Sequence, residues 1–341
     1  MVGTVDLEIT GAGDKDELSL SGVAAAGSDH LFVVPDEGGS VLRLARHGGG
    51  FRLDGTHPVA DLVPVAGEPG DEIDLEGLDV AGEELWLAGS HSAVRTRIRK
   101  TAPVAAIPRL LATVERPAAR RLLARIPLVD TGKGAQPARS ATRADGTVQT
   151  ALSLVPDGLH TALLDDPHLG PFLTLPSKDN GLDIEGIAAV GDQLLLGLRG
   201  PVLRGWAVLL TITPRPSDIP GRFAIDPPIT HFLDLAGLGV RDLARSGDDL
   251  LVLAGPTMLL DGPSRILRIR GAGVRPPARV LRAGDLEQVG PDLAVGVGAD
   301  HPEGITVLDR PGGPRLLVVY DSPTGSRVHG RTTRAELRAL D

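Results

Sequence analysis

The chain has no cysteine. That excludes disulfides, cysteine-ligated zinc and thiol catalysis, and it fits a reducing cytoplasm best. Aromatic residues are only 2% of its 341 residues, so the core must be built from Leu, Val, Ile and Ala. The same scarcity removes the stacking platforms of a single-strand binder, and the net charge of −9 argues against a general basic stripe. Nucleic acid is therefore not an expected partner. No apolar run reaches 18 residues, so no transmembrane helix and no membrane partner are expected. The opening Met1–Asp6 has neither a charged nor an apolar leader region, so no secretory leader is expected either.

What is abundant points to short strands and tight turns. Gly (44) and Pro (28) are spread along the chain, and the hydrophobic fraction of 42% suffices for a core. Five segments repeat one pattern, a small or acidic residue leading into an aliphatic strand, a polar turn and a second aliphatic strand. They begin at Ser21-Gly22, Glu76-Gly77, Glu185-Gly186, Asp242-Leu243 and Glu303-Gly304. Alternating third strands follow, such as Val41–Leu44 and Ile266–Ile269. Hairpins that cannot each bury a core must stack on one another. The expected fold is all-β, a single β-propeller over residues 1–341 with five blades, a sixth being the alternative. The long interval between Glu76 and Glu185 is read as insertions at about 92–120 and 131–175, with short helices near Pro108–Val114 and Leu159–Leu169. The strand near Val5–Ile9 is expected to complete the last blade, removing exposed edges.

Hairpin geometry then places polar residues. Counting across each turn pairs Ser21 with Asp36, Glu76 with His91, Glu185 with Arg199, Asp242 with Pro256 and Glu303 with Asp321. The first strand of a blade lines the central channel. One face should therefore gather Glu76, Glu185, Asp242 and Glu303, with Asp36, His91, Arg199 and Asp321 just outside. Asp74, Asp183 and His301 precede repeat residues by two and share their side. Four converging carboxylates need a cation, arginines or protons. Calcium, ahead of magnesium, is the candidate occupant of Glu76, Glu185, Asp242 and Glu303. The competing role is structural, each leading acid accepting backbone N–H groups from the next blade.

The stretch Gly197–Trp206 holds Arg199 and Arg204 amid glycines, suited to gripping a carboxylate or phosphate. An internal pair between Arg199 and Glu185 is the alternative. Ser90-His91-Ser92 could supply a base or nucleophile, so His91 and Arg199 are the catalytic candidates, against a hydrogen-bonded structural histidine. Ligand-binding candidates are Asp36, Glu76, His91, Glu185, Arg199, Arg204, Asp242, Glu303 and Asp321.

Several blocks resemble a bacterial family known as domain of unknown function 3616: Asp74–Leu78, Ser90–Ser92, Leu122–Pro127, Ser177–Gly186, Arg199–Trp206 and His301–Gly304. The resemblance covers most of the chain and implies no catalytic residues. More distantly, the Glu-Gly starts look like those of propeller families that include calcium-dependent phosphatases and lactonases. The expected function is binding of a divalent cation or a small anionic ligand at the acidic channel face, with no organic cofactor. The alternatives are a metal-assisted hydrolase of phosphoesters or lactones, and a scaffold presenting its insertions to a protein partner.

Overall fold

Runs of Leu, Val, Ile and Ala broken by Gly-containing turns become strands, and the strands group into antiparallel meanders. The computed structural model describes residues 2–9, 18–68, 70–295 and 298–340. Meander 1 is Leu20–Ala26, His30–Pro35, Ser40–His47 and Gly50–Pro58. Meander 2 is Leu75–Ala81, Glu84–Gly89, Leu123–Asp130 and Leu152–Leu154. Meander 3 is Asp183–Val190, Gln193–Leu203, Trp206–Ile212 and Ile229–Asp234. Meander 4 is Gly239–Ser246, Asp249–Gly255, Arg265–Ile269 and Glu287–Gln288. Meander 5 uses both ends of the chain: His301–Leu308, Arg315–Asp321 and Thr332–Ala339 are joined by Gly3–Glu8. The Gly3–Glu8 strand also runs parallel to Gly50–Pro58 of meander 1. The inner hairpins turn at glycines such as Gly191 (φ 63°) and Gly247 (φ 59°), a backbone region that other residues enter at a cost.

The first strand of each meander touches the first strand of the next, and that of meander 5 returns to meander 1. Between successive meanders lies one apolar layer. Phe32 and Val34 face Leu75 and Leu85, Ile187 and Leu196 face Trp86 and Leu123, and Leu195 and Ala207 face Leu250 and Val252. Leu251 and Leu253 meet Leu316 and Val318, while Leu317 and Val319 meet Leu31 and Val33. Each such Leu or Val contributes about 1.5–3 kcal/mol by leaving water, so the face-to-face layers hold the ring together largely through aliphatic side chains. The architecture is all-β and propeller-like.

The glycine that follows the leading residue of a repeat has a packing reason. A Cβ on Gly77 would lie 2.7 Å from the Glu185 carbonyl, and one on Gly22 would lie 2.9 Å from the Glu76 carbonyl. These glycines let neighbouring first strands approach backbone to backbone. Side chains then bolt the strands together: Asp79 accepts from the Ala189 N–H (2.8 Å), Asp242 from the Ile305 N–H (2.7 Å), and Thr306 from the Ala25 N–H (3.0 Å). At the turn end of the channel, Arg245 pairs with Asp79 (3.4 Å) and donates to the Val80 carbonyl (2.8 Å).

The two insertions differ in character. Residues 96–113 form an excursion on a base where Val94–Arg95 pairs with Val114–Glu115, and it contains the short helix Ile107–Ala112. The other is only partly a displayed loop. Ser140–Thr142 and Val148–Thr150 make a small hairpin, and the helix Gly158–Leu163 buries Leu159 and Leu163, with Leu169 beside them, in the layer between meanders 2 and 3. The apolar spacing that marks the helix also marks a face that must be covered. Among the described residues no helix is long and apolar enough to cross a membrane.

Candidate functional site

Every first strand carries a β-bulge near its start, and the bulge decides what points into the channel mouth. The register slips between Leu20 and Gly22, Leu75 and Gly77, Ile184 and Gly186, Val240 and Asp242, and Pro302 and Gly304. The extra residues are Ser21, Glu76, Glu185, Arg241 and Glu303. A bulge re-aims its unpaired side chain. The cross-strand pairs counted from the sequence are therefore displaced: Leu75 faces Gly89 and Glu76, in the bulge, has no partner at His91, while His301, not Glu303, faces Asp321.

This corrects the fourth repeat by one residue. Arg241, not Asp242, occupies the position of the repeated glutamates. Asp242 stands where the other repeats have glycine, and its carboxylate is consumed by the N–H groups of Leu243 (2.8 Å) and Ile305. The acids Glu76, Glu185, Asp242 and Glu303 thus do not form one ligand set. Among the described residues, no group of three or more His, Asp or Glu side chains is placed to hold a metal ion.

Arg241 is the hub of the mouth. Its Nε lies 2.9 Å from Glu185 Oε2, and its Nη2 pairs with Glu303 Oε1. Arg199 Nη1 donates to Glu185 Oε1 (2.7 Å) and stands 3.8 Å from Asp183 Oδ2. Arg199 Nη2 donates to the Met258 carbonyl (2.5 Å), tying the loop after meander 4's second strand to the rim. All of Glu185, Arg199, Arg241 and Glu303 are buried. Charges so desolvated persist only when paired, and this alternating chain supplies the pairing.

Toward meanders 1 and 2 the carboxylates outnumber the cations. Arg120 Nη1 holds Asp74 Oδ2 (2.6 Å) and also reaches Glu72, but Glu76 has no ion-pair partner among the described residues. Burial, reinforced by the charges of Asp74 and Glu185, pushes Glu76 well above the usual carboxylate range. Burial likewise raises Asp183 to about 7, against the pull of Arg199, and raises Asp36 to about 6 with help from Asp321 and Asp74. The Lys178 ammonium, exposed at the rim, acts in the opposite direction on both. A cavity of about 360 Å³ opens on the side of meanders 4 and 5, and Glu76, Asp183 and Asp36 are not among the residues that line it. Its polar lining includes Lys178, Arg199, Arg241, His301, Glu303 and Asp321, and its lip carries Pro256, Met258, Leu259, Leu260 and Val295.

His91 and Arg204 do not reach the site. His91 is buried, its Nε2 hydrogen-bonds to the Leu122 carbonyl (3.1 Å), and its ring stacks on His160. Burial holds the His91 imidazole down to about 3, with the His160 charge adding to it, so it stays neutral as a core histidine. Its flanking Ser90 and Ser92 hydroxyls bond each other (2.9 Å), and Ser92 receives Arg120 (3.3 Å). Arg204 is exposed at a positive φ in the turn before Trp206, at the edge of the sheet. Asp36, Asp74, Asp183 and Asp321 are brought to the mouth. Arg241 and Arg120 are the residues that sequence reasoning missed. Lining up the aliphatic residue before each bulge (Leu20, Leu75, Ile184 and Val240) would have exposed Arg241.

The chain matches the family described as Protein of unknown function (DUF3616) over residues 19–335, and it belongs to that family. No curated protein matches it. Among solved structures it is similar to virginiamycin B lyase from Staphylococcus aureus, with 9% identity, 100% of each chain covered and a TM-score of 0.39. Another is Kuenenia stuttgartiensis hydrazine synthase, with 11% identity, 93% of this chain and 60% of that one covered and a TM-score of 0.36. A streptogramin B lyase shows 8% identity over 100% and 98% of the two chains, with a TM-score of 0.36.

Proposed function

We propose that the chain is a single five-bladed β-propeller whose channel mouth binds a small, positively charged organic molecule such as an amine. The observation that carries this reading is the uncompensated acid on one side of the mouth. Burial raises Glu76 well above the usual carboxylate range, Asp183 to about 7 and Asp36 to about 6, and the charges of neighbouring carboxylates add to each rise. A cationic ligand would displace protons from these groups and gain charge–charge attraction to the carboxylates. The lip of Met258, Leu259, Leu260 and Val295 would cover an attached apolar group.

An anionic ligand fits less well. Arg199 and Arg241 are already engaged by Glu185, Asp183 and Glu303, so an anion would have to compete with buried carboxylates. The same engagement removes Arg199 as a ready grip on a hydrolase substrate. Calcium answers the acid excess on charge alone, but the described acids are not grouped around one ion-sized point.

The test is a thermal-shift and calorimetry panel of an alkylamine, spermidine, arginine, calcium, magnesium and phosphate at pH 5.5 and 8. The expected result is a rise in Tm with amines, larger at pH 8, with proton release on binding at pH 5.5, and abolished in Glu76→Gln/Asp183→Asn. A response confined to calcium would replace the amine with a metal. A response confined to phosphate would overturn the reading.

A further inference from the structure

The net charge of −9 conceals a local reversal. Between Arg95 and Arg116 the chain carries six cations, Arg95, Arg97, Arg99, Lys100, Arg109 and Arg116, against the single acid Glu115. These residues occupy the excursion that projects from meander 2 beside the channel mouth. Its base is fixed: Arg95 Nε donates to Asp179 Oδ2 (2.8 Å), the Ser177 N–H donates to the Ala93 carbonyl (3.0 Å), and Arg116 reaches the Thr174 carbonyl (3.3 Å). Beyond the base, Arg97, Arg99, Lys100 and Arg109 are exposed, and none has an ion-pair partner among the described residues. Val104, away from the base, is 81% exposed, and Leu111, whose carbonyl accepts from Arg95 at the base, is 45% exposed.

We propose that this excursion is a docking surface for an acidic segment of another protein, one in which carboxylates alternate with aliphatic side chains. Clustered cations without intramolecular partners, on a chain otherwise rich in acid, are a source of complementarity and not of stability. Arginine supplies three of the four unpaired charges, and its planar fork matches a carboxylate. Val104 and Leu111 provide the apolar contact that a flat charged patch lacks. The excursion contains no aromatic residue, whereas helices that lie in a lipid interface usually anchor through Trp, Phe or a broad Leu face. The absence of aromatics also leaves nothing on which bases could stack. The anchored base means that little ordering is required on binding.

The test uses the full chain and a fluorescein-labelled synthetic peptide of glutamates interrupted by leucines. Anisotropy should report binding that weakens with salt. Reversal of Arg97, Arg99, Lys100 and Arg109 to Glu should weaken it by about thirtyfold. Val104→Ser should weaken it by several-fold at unchanged salt dependence. Because these side chains are exposed and unpaired, Tm should stay unchanged, and the milder Arg99→Gln/Lys100→Gln variant keeps the test valid if the full reversal disturbs folding. No binding by the unmodified chain at low salt, or binding indifferent to both charge variants, overturns the proposal. Tighter binding to duplex DNA or to phosphatidylserine vesicles than to the peptide overturns it too, since the surface would then serve a different partner.

Discussion

Replacing Arg241 by Met tests whether the mouth is held by its internal ion pairs. The guanidinium sits between Glu185 and Glu303, all three groups being buried. Glu185 keeps Arg199 when Arg241 is lost, but Glu303 loses its charge partner. Removing one side of a buried pair costs about 3–5 kcal/mol, because a desolvated charge is left without compensation. At roughly 2.1 cal/mol/K per residue, a 341-residue chain has an unfolding entropy of about 0.7 kcal/mol/K, so Tm should fall by about 4–7 °C. The double variant Arg241→Met/Glu303→Gln removes the stranded charge and should recover at least half of that loss. Arg241→Lys should lie between, since one ammonium cannot span both acids as the fork does. Scanning calorimetry at neutral pH, with urea unfolding as a second probe, measures all three. An Arg241→Met protein that melts within about 1 °C of the parent would refute the hub assignment, as would a double variant no more stable than the single one.

Two further outcomes follow from the same geometry. Asp183 holds its proton to about 7 in the fold but only to its ordinary 3.8 when unfolded, so its contribution favours the fold at acid pH and is lost as pH rises from about 4 to 7. Asp183→Asn should therefore be more stable than the parent at pH 8, by on the order of 4 kcal/mol at 1.4 kcal/mol per pH unit, and no more stable at pH 3.5. Equal melting curves at both pH values would count against it. Gly77→Ala places a methyl group 2.7 Å from the Glu185 carbonyl and should cost about 1–3 kcal/mol as the first strands are forced apart. Gly27, whose substituent would meet nothing within 4 Å, should show no such clash at its own turn, although its positive φ still disfavours Ala. Urea midpoints compare the two, and a Gly77→Ala midpoint at the parent's value would remove the close-approach account.

Much of the strand arrangement was legible because it rests on pattern. Leading residues at Ser21, Glu76, Glu185 and Glu303 recur with the same aliphatic neighbours, and a repeat of that kind survives any one substitution. The direction of individual side chains was not legible in the same way. A bulge adds one residue to one strand without changing composition or alternation enough to notice, and that single residue moved Asp242 out of the mouth and put Arg241 in. His91 was misplaced for a related reason. Its sequence neighbours are serines, which suggest a polar site, while its contacts are the Leu122 carbonyl and the His160 ring, brought near by an insertion whose path no local signal fixes. The basic excursion was hidden by averaging, since overall charge says nothing about where charges of one sign collect.

The meander shared by the two ends of the chain sets a clock on assembly. Gly3 lies opposite Leu337, so the Gly3–Glu8 strand waits for its partner until the intervening meanders have all been made. At roughly 5–20 residues per second that interval is about a quarter of a minute to one minute. Throughout it, Gly3–Glu8 and the edge of meander 1 present unsatisfied backbone groups to whatever else the nascent chain meets.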